Sequence, residues 1–265
     1  MLKLYQFELS QYSEKVRLIL DFKGLDYQKI EVTPGIGQIE LLRLSGQRQV
    51  PVLQDGDLVI ADSTEIAFYL DRKYPDSPLI PIDPYRRGLC LMTEEWADES
   101  IGLKSRVAFF AALKQSQNLR TSLLPTKTPD FLKSLVGSAP RELLDVLGTG
   151  VGLSKEAINS AMTGLKQDLE ALTLILQTQP YLTGQNPTLA DLTVAGLSLL
   201  LKFPDQAYVE VPLNLLGSGV PGLADDAQFA PFFDWRDRLY ADFRNPSNAT
   251  SVNTPGQPPV TIEID

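Results

Sequence analysis

The chain has 265 residues, of which 43% are hydrophobic and 22% charged, and its net charge is −9. That charge excludes a general nucleic-acid binder, which needs a basic face for phosphates, and a polybasic protein of the membrane surface. One cysteine (Cys90) and no histidine exclude an intramolecular disulfide, a Cys/His zinc site, an imidazole base and a CxxC dithiol. No apolar run reaches the length of a membrane span. The start of the chain lacks the apolar core of a signal peptide, so a cytoplasmic location is expected.

Residues 2–7 alternate as a strand, and 10–22 carry helical apolar spacing through Val16, Ile19 and Leu20 before Lys23-Gly24. A second strand is expected over 25–32. A short helical or irregular stretch follows over 36–44. From Gln49 to Leu70 the sequence reads QVPVLQDGDLVIADSTEIAFYL. Apolar runs at 50–53 and 58–61 flank Gln-Asp-Gly-Asp, and an Asp-Gly pair so placed is a strong hairpin signal. Pro51 cannot donate to a ladder and belongs at an edge or a bend. The hairpin runs into a helix with Ile66, Tyr69 and Leu70 on its apolar side. The order βαβ, helix, ββα predicts an α/β sheet, parallel at first and antiparallel at the end, which is the thioredoxin-like arrangement.

LIPIDP at 79–84 reads as a linker, and beyond it the periodicity is helical. The predicted division is a thioredoxin-like domain over 1–80, a linker over 81–86 and an all-helical domain over 87–265. In the second domain we expect a long helix over 86–113 and one or two short helices over 129–147. An amphipathic helix over 154–177 has Ser154 as N-cap. A very apolar central helix is expected over 189–203 and an aromatic-rich one over 229–243. An insertion around 119–152 and a proline-bearing tail at 245–265 lengthen this domain; the tail reads as disordered or as an extended arm.

Several polar residues stand at helix starts, where capping alone would explain them. Ser10 and Ser13 open the first helix. Asp62 and Ser63 open the helix after the hairpin. Thr188 and Asp191 form a capping box with Asp in place of Glu. Arg17 suits a structural ion pair, and Cys90 suits a small buried hydrophobe.

Three pieces together carry a resemblance. They are SQYSEKVRLIL at 10–20, Val50-Pro51 with Asp62-Ser63, and YLTGQNPTLADL at 181–192. In this order and on these elements they resemble the soluble glutathione transferases, of the serine type with a theta- or zeta-like first motif. The resemblance covers the first eighty residues best. It implies a cis Val50-Pro51 bond and a glutathione co-substrate, with no metal. Ser10 would hydrogen-bond the thiolate at a helix N-terminus, with Ser13 as the near alternative. Val50 would pair its main chain with the cysteinyl unit. Ser63 and Asp62 would take the γ-glutamyl carboxylate and ammonium. Gln49 and Arg48, and less strongly Arg43, stand for the glycyl end.

The implied activity is that of an enzyme of detoxification. The glutathione thiol would be activated for attack on a small hydrophobic electrophile or a peroxide. The alternative is a non-catalytic binding or scaffold protein of the same fold. The expected assembly is a homodimer. Gln11 stands where many members have proline, and Asp62 where many have Glu or Gln. Cysteine-bearing members do mixed-disulfide chemistry at the position of Ser10, and serine does not support it.

Overall fold

Four short strands form one sheet in the order β2-β1-β3-β4. The computed structural model describes residues 1–33, 36–115, 154–211, 215 and 217–246. Strand β1 (Leu2–Gln6) buries Leu2, Leu4 and Gln6. This is the alternation that a sheet with helices against its faces imposes. It runs parallel to β2 (Tyr27–Glu31), with Leu2 opposite Tyr27 and Gln6 opposite Glu31. The crossover between them is helix α1 (Gln11–Phe22). Helix α2 (Ile36–Ser45) leads to β3 (Val52–Asp55), which is antiparallel to β1 and to β4 (Leu58–Ala61). Helix α3 (Ser63–Lys73) completes this part. The expected thioredoxin-like arrangement is present.

The hairpin is tighter than the sequence pattern suggests. Asp55 still pairs with Leu58, so the loop is Gly56-Asp57 alone, and Gly56 carries the positive φ (61°) that such a loop requires. The strand starts at Val52, after the bend at Pro51. Tyr69 packs partly buried against the core on the apolar side of α3, as expected. Its hydroxyl donates to Asp55 Oδ2 at 2.7 Å, while Ile66, Ala67 and Leu70 fill the core.

Helix α4 is Pro84–Ala97, so residues 84–86 are helix and not linker. Asp83 caps it by accepting from the Arg86 N–H at 2.9 Å, and Pro84 sits at N1, where a missing N–H costs nothing. The long helix expected over 86–113 is broken by a π-helical turn at Asp98–Gly102 before α5 (Leu103–Gln115). Side chains of α1 explain the wider turn. Gln11 donates to the Gly102 carbonyl, and Tyr12 donates to the Asp98 carbonyl at 3.2 Å. These are carbonyls that a regular helix would direct to its own later amides.

Helix α6 (Lys155–Leu176) begins where expected, with Ser154 Oγ accepting from the Ala157 N–H at 3.1 Å. Helix α7 (Leu189–Leu197) is buried along its whole length. It is shorter than the predicted 189–203 and passes into a 3-10 turn at Ser198–Leu200, where the Ser198 hydroxyl donates back to the Ala195 carbonyl at 2.8 Å. The capping box at its start is complete. Asp191 accepts from the Thr188 N–H at 2.8 Å, and it also takes the Leu182 N–H at 2.7 Å. Gly196 lets α7 lie directly on α1, since a Cβ there would stand 2.6 Å from Lys15 Cα. Helix α8 (Ala230–Phe243) follows a 3-10 turn at Ala227–Phe229.

One apolar core runs from β1, α1 and α3 through α4, α6, α7 and α8. A second small cluster, Val32, Leu41 and Val52, fills the other face of the sheet under α2. The helices expected over 129–147, the insertion over 119–152 and nearly all of the tail lie outside the described residues.

Candidate active site

Between the loops after β1 and before β3 on one side and the π-turn with α5 on the other lies a cleft of about 730 Å³. Ser10, Arg48, Gln49, Val50, Pro51, Asp62 and Ser63 all line it. Of the eight residues singled out most strongly from the sequence, seven therefore meet in one place, although they come from three separate loops. Arg43 is exposed on α2 and does not line the cleft. Ser13 is the eighth. It is fully buried, does not reach the cleft, and its hydroxyl has no hydrogen-bond partner.

Ser10 is the N-cap of α1, with extended backbone (φ −79°, ψ 113°). Its Oγ accepts from the Ser13 N–H at 3.2 Å. That bond occupies a lone pair and leaves the hydroxyl proton to donate elsewhere. Capping and ligand binding are thus compatible at this residue. The first-turn amides of α1 add a partial positive charge beside it.

Asp62 combines two roles in the same way. Its Oδ1 accepts from both Thr64 N–H (2.8 Å) and Glu65 N–H (3.1 Å), which caps α3. No hydrogen bond or ion pair within the described residues engages Oδ2, and the residue is exposed. Its φ is +82°, the only positive φ at a non-glycine among the described residues. Such a backbone costs roughly 1–3 kcal/mol and is held where a site requires it. Nothing in the sequence signalled this strain. Ser63 follows at the first helical position and is buried against the cleft. The Val50-Pro51 bond is cis.

The far wall comes from residues the sequence reading passed over. Tyr12, Asp98, Glu99, Leu103, Arg106 and Phe110 also line the cleft. Burial and the neighbouring Asp98 push the Tyr12 phenol up to about 12, against the pull of Arg106. It is therefore neutral at physiological pH. Asp98 is engaged from behind. Lys15 Nζ, fully buried, donates to Glu94 Oε1 (2.6 Å), Asp98 Oδ1 (3.0 Å) and Thr64 Oγ1 (3.0 Å). This cluster ties α1, α3 and α4 together under the cleft floor. Burial raises the Asp98 carboxyl above its ordinary range despite Lys15. The spacing of Arg106, Phe110 and Leu113 along α5, four and then three residues, was a readable signal.

A second buried cluster holds α1 from its other side. Arg17 donates to Glu14, to Gln6 and to the Glu8 carbonyl, the last at 2.8 Å. Arg244, just past α8, donates to Glu14 Oε1 (3.0 Å) and Asp21 Oδ2 (2.5 Å). Burial pushes the Glu14 carboxyl up, but Arg17 and Arg244 bring it below its ordinary range. The structural ion pair expected of Arg17 is present. Cys90 is buried, and burial raises its thiol. Among the described residues no cluster of three His, Cys, Asp or Glu could hold a metal ion. No described helix is long and apolar enough to cross a membrane.

Residues 4–78 match the family model for the glutathione S-transferase N-terminal domain. This first part of the chain is therefore similar to the glutathione transferases. Glutathione S-transferase Z2 of Arabidopsis thaliana is 36% identical over 120 residues, 44% of this chain and 54% of that protein. The chain thus spans about half the length of this relative. Solved structures with the same fold extend much further along it. Beta-etherase LigF from Sphingobium sp. strain SYK-6 superimposes with a TM-score of 0.67 at 22% identity, covering 91% of this chain and 95% of that one. The theta class transferase of Xanthomonas axonopodis pv. citri, solved with glutathione bound, gives 0.58 at 21% identity, covering 90% and 92%. Gln11, the first residue of α1, also lines the cleft. Its side chain is bonded on both sides, donating to Gly102 and accepting from Ser105 Oγ at 2.7 Å. The glutamine thereby ties the start of α1 to the π-turn.

Proposed function

We propose that this chain binds glutathione in the cleft and activates its thiol for transfer to a small electrophile. The observation that carries the reading is the pairing of each cap with a spare function. Ser10 keeps a proton to donate, and Asp62 keeps a carboxylate oxygen unpaired among the described residues, in a cleft that Val50 and Pro51 also line. In this reading the Ser10 hydroxyl and the first turn of α1 stabilise the thiolate. The Val50 main chain pairs with the cysteinyl unit. The Asp62 Oδ2 takes the γ-glutamyl ammonium, and Ser63 with its helix-start amide takes the γ-glutamyl carboxylate. Arg48 and Gln49, both exposed, serve the glycyl end. The buried Ser13 loses standing as the alternative thiolate donor.

Catalysis needs only a pKa change and placement. The thiol gives its proton to solvent, and the thiolate attacks an electrophile held against the α5 wall. The division into a first domain over 1–80 and a helical second domain beyond the linker, and a symmetric homodimer, belong to the same proposal. A sedimentation profile showing only monomer would contradict the dimer. Retention on immobilised glutathione followed by turnover of a generic aryl halide tests the activity. Retention without turnover would favour the non-catalytic alternative.

Asp62→Asn separates the ligand role from the cap. Asparagine caps about as well as aspartate, so the thermal midpoint should hold. The lost charge should weaken glutathione binding by about 1.5 kcal/mol, roughly tenfold. Calorimetry beside a melting curve reads both. Unchanged affinity would make the residue structural only.

A further inference from the structure

On the α5 side of the cleft stands a cation, Arg106, that no described residue of the fold engages. Arg106 on α5 lines the cleft and is half buried. The other buried arginines among the described residues are engaged: Arg17 and Arg244 by carboxylates, Arg236 by Asp237 and the Lys202 carbonyl. Arg106 has no ion pair or hydrogen bond to any described residue. The nearby carboxylates do not answer it. Asp98 is bonded to Lys15 and Thr64, and Glu99 is exposed. A half-buried guanidinium unpaired among the described residues, beside apolar walls in a protein of net charge −9, is available to pair with a ligand anion.

The walls around it describe the rest of the ligand. Leu103, Phe109, Phe110 and Leu113 line the same side. Phe109 is fixed edge-on to Phe110 at 6.2 Å and to Phe203 at 5.8 Å between ring centroids. Tyr12, neutral and within the reach of Arg106's charge, closes the end nearest Ser10. Rigid rings favour a flat aromatic partner, and a planar guanidinium favours a carboxylate, which it binds through two parallel bonds.

We propose that Arg106 sets the second-substrate specificity of this cleft, and that the electrophile it selects is an aromatic carboxylate. The inference rests on the glutathione reading above. The ring lies against the α5 face, its carboxylate pairs with Arg106, and its electrophilic carbon faces the sulfur near Ser10. For an aryl halide the step balances without any further reactant. The carbon–sulfur bond forms, the carbon–halogen bond breaks, the halide leaves with the bonding pair, and the thiol proton has already gone to solvent.

The test is equilibrium binding by calorimetry of three ligands to the full chain. They are glutathione, its S-conjugate with a nitrobenzoate ring, and the same conjugate as the carboxamide. The wild type should bind the carboxylate conjugate more tightly than the carboxamide. Arg106→Gln should remove that preference by weakening the carboxylate conjugate roughly ten- to a hundredfold, leaving glutathione and the carboxamide unchanged. Arg106→Lys, which keeps the charge but not the fork, should fall between. Equal binding of the two conjugates to the wild type, or an unchanged preference in Arg106→Gln, overturns the inference alone. Failure of glutathione itself to bind the wild type overturns the glutathione reading and this inference together.

Discussion

Arg244→Met is expected to cost about 3–5 kcal/mol of folding stability, the usual cost of removing one partner from a buried ionic cluster. Arg244, Glu14 and Asp21 have fully buried side chains. Glu14 keeps Arg17 in the variant, but among the described residues Asp21 keeps no cation within bonding distance. Burial already holds the Asp21 carboxyl above its ordinary range, with Arg244 opposing it. Without Arg244 that carboxyl rises further. A carboxyl raised in the folded state binds its proton more tightly there than in the unfolded chain. Stability then grows as pH falls from the raised value toward the ordinary range near 4. The deficit of the variant should thus be larger at about pH 7 than at about pH 5. Urea unfolding at the two pH values measures it. A loss under ~1 kcal/mol, or one independent of pH, would mean that the cluster is relaxed or hydrated. Because the cluster also grips Glu14, one turn from Ser10, a shifted α1 would show as reduced glutathione affinity in the same variant.

Ser10→Ala should lower turnover at neutral pH by roughly ten- to a hundredfold, the effect of losing a hydrogen bond to a charged acceptor. The loss should diminish as pH rises. In the variant the bound thiol needs a higher pH to ionise, and once it is fully thiolate the missing stabilisation affects the charge less. The cap is also lost, at about 1 kcal/mol of stability, so activity is compared well below the melting midpoint. Ser13→Ala serves as the control. Its hydroxyl is buried without a partner, and its removal should leave activity nearly unchanged. Full activity in Ser10→Ala with a dead Ser13→Ala would reverse the assignment.

The sheet and the part of the cleft around Ser10, Val50 and Asp62 were legible because local rules fix them. Asp-Gly between apolar runs gave the hairpin. Ser10, Asp62 and Thr188 marked helix starts, and each is a cap in the structure. What stayed hidden depends on contacts between distant segments. The π-turn at Asp98–Gly102 comes from Gln11 and Tyr12 reaching across from α1, a separation of more than eighty residues. The positive φ of Asp62 leaves no trace in composition. The early end of the helix expected over 189–203 follows from one serine bonding back to its own backbone. The wall of Arg106 and Phe110 was visible as helical spacing, but spacing alone did not say which face of α5 meets the cleft.

The most direct test of the account is a pH titration of the thiolate absorbance of glutathione bound to the full chain, with Ser10→Ala beside it. A free thiol of this kind ionises near 8.5. The account predicts a bound thiol whose pKa is at least about one unit lower in the wild type and returns toward the free value in Ser10→Ala. A bound thiol that titrates like free glutathione, or identically in the two proteins, would contradict it.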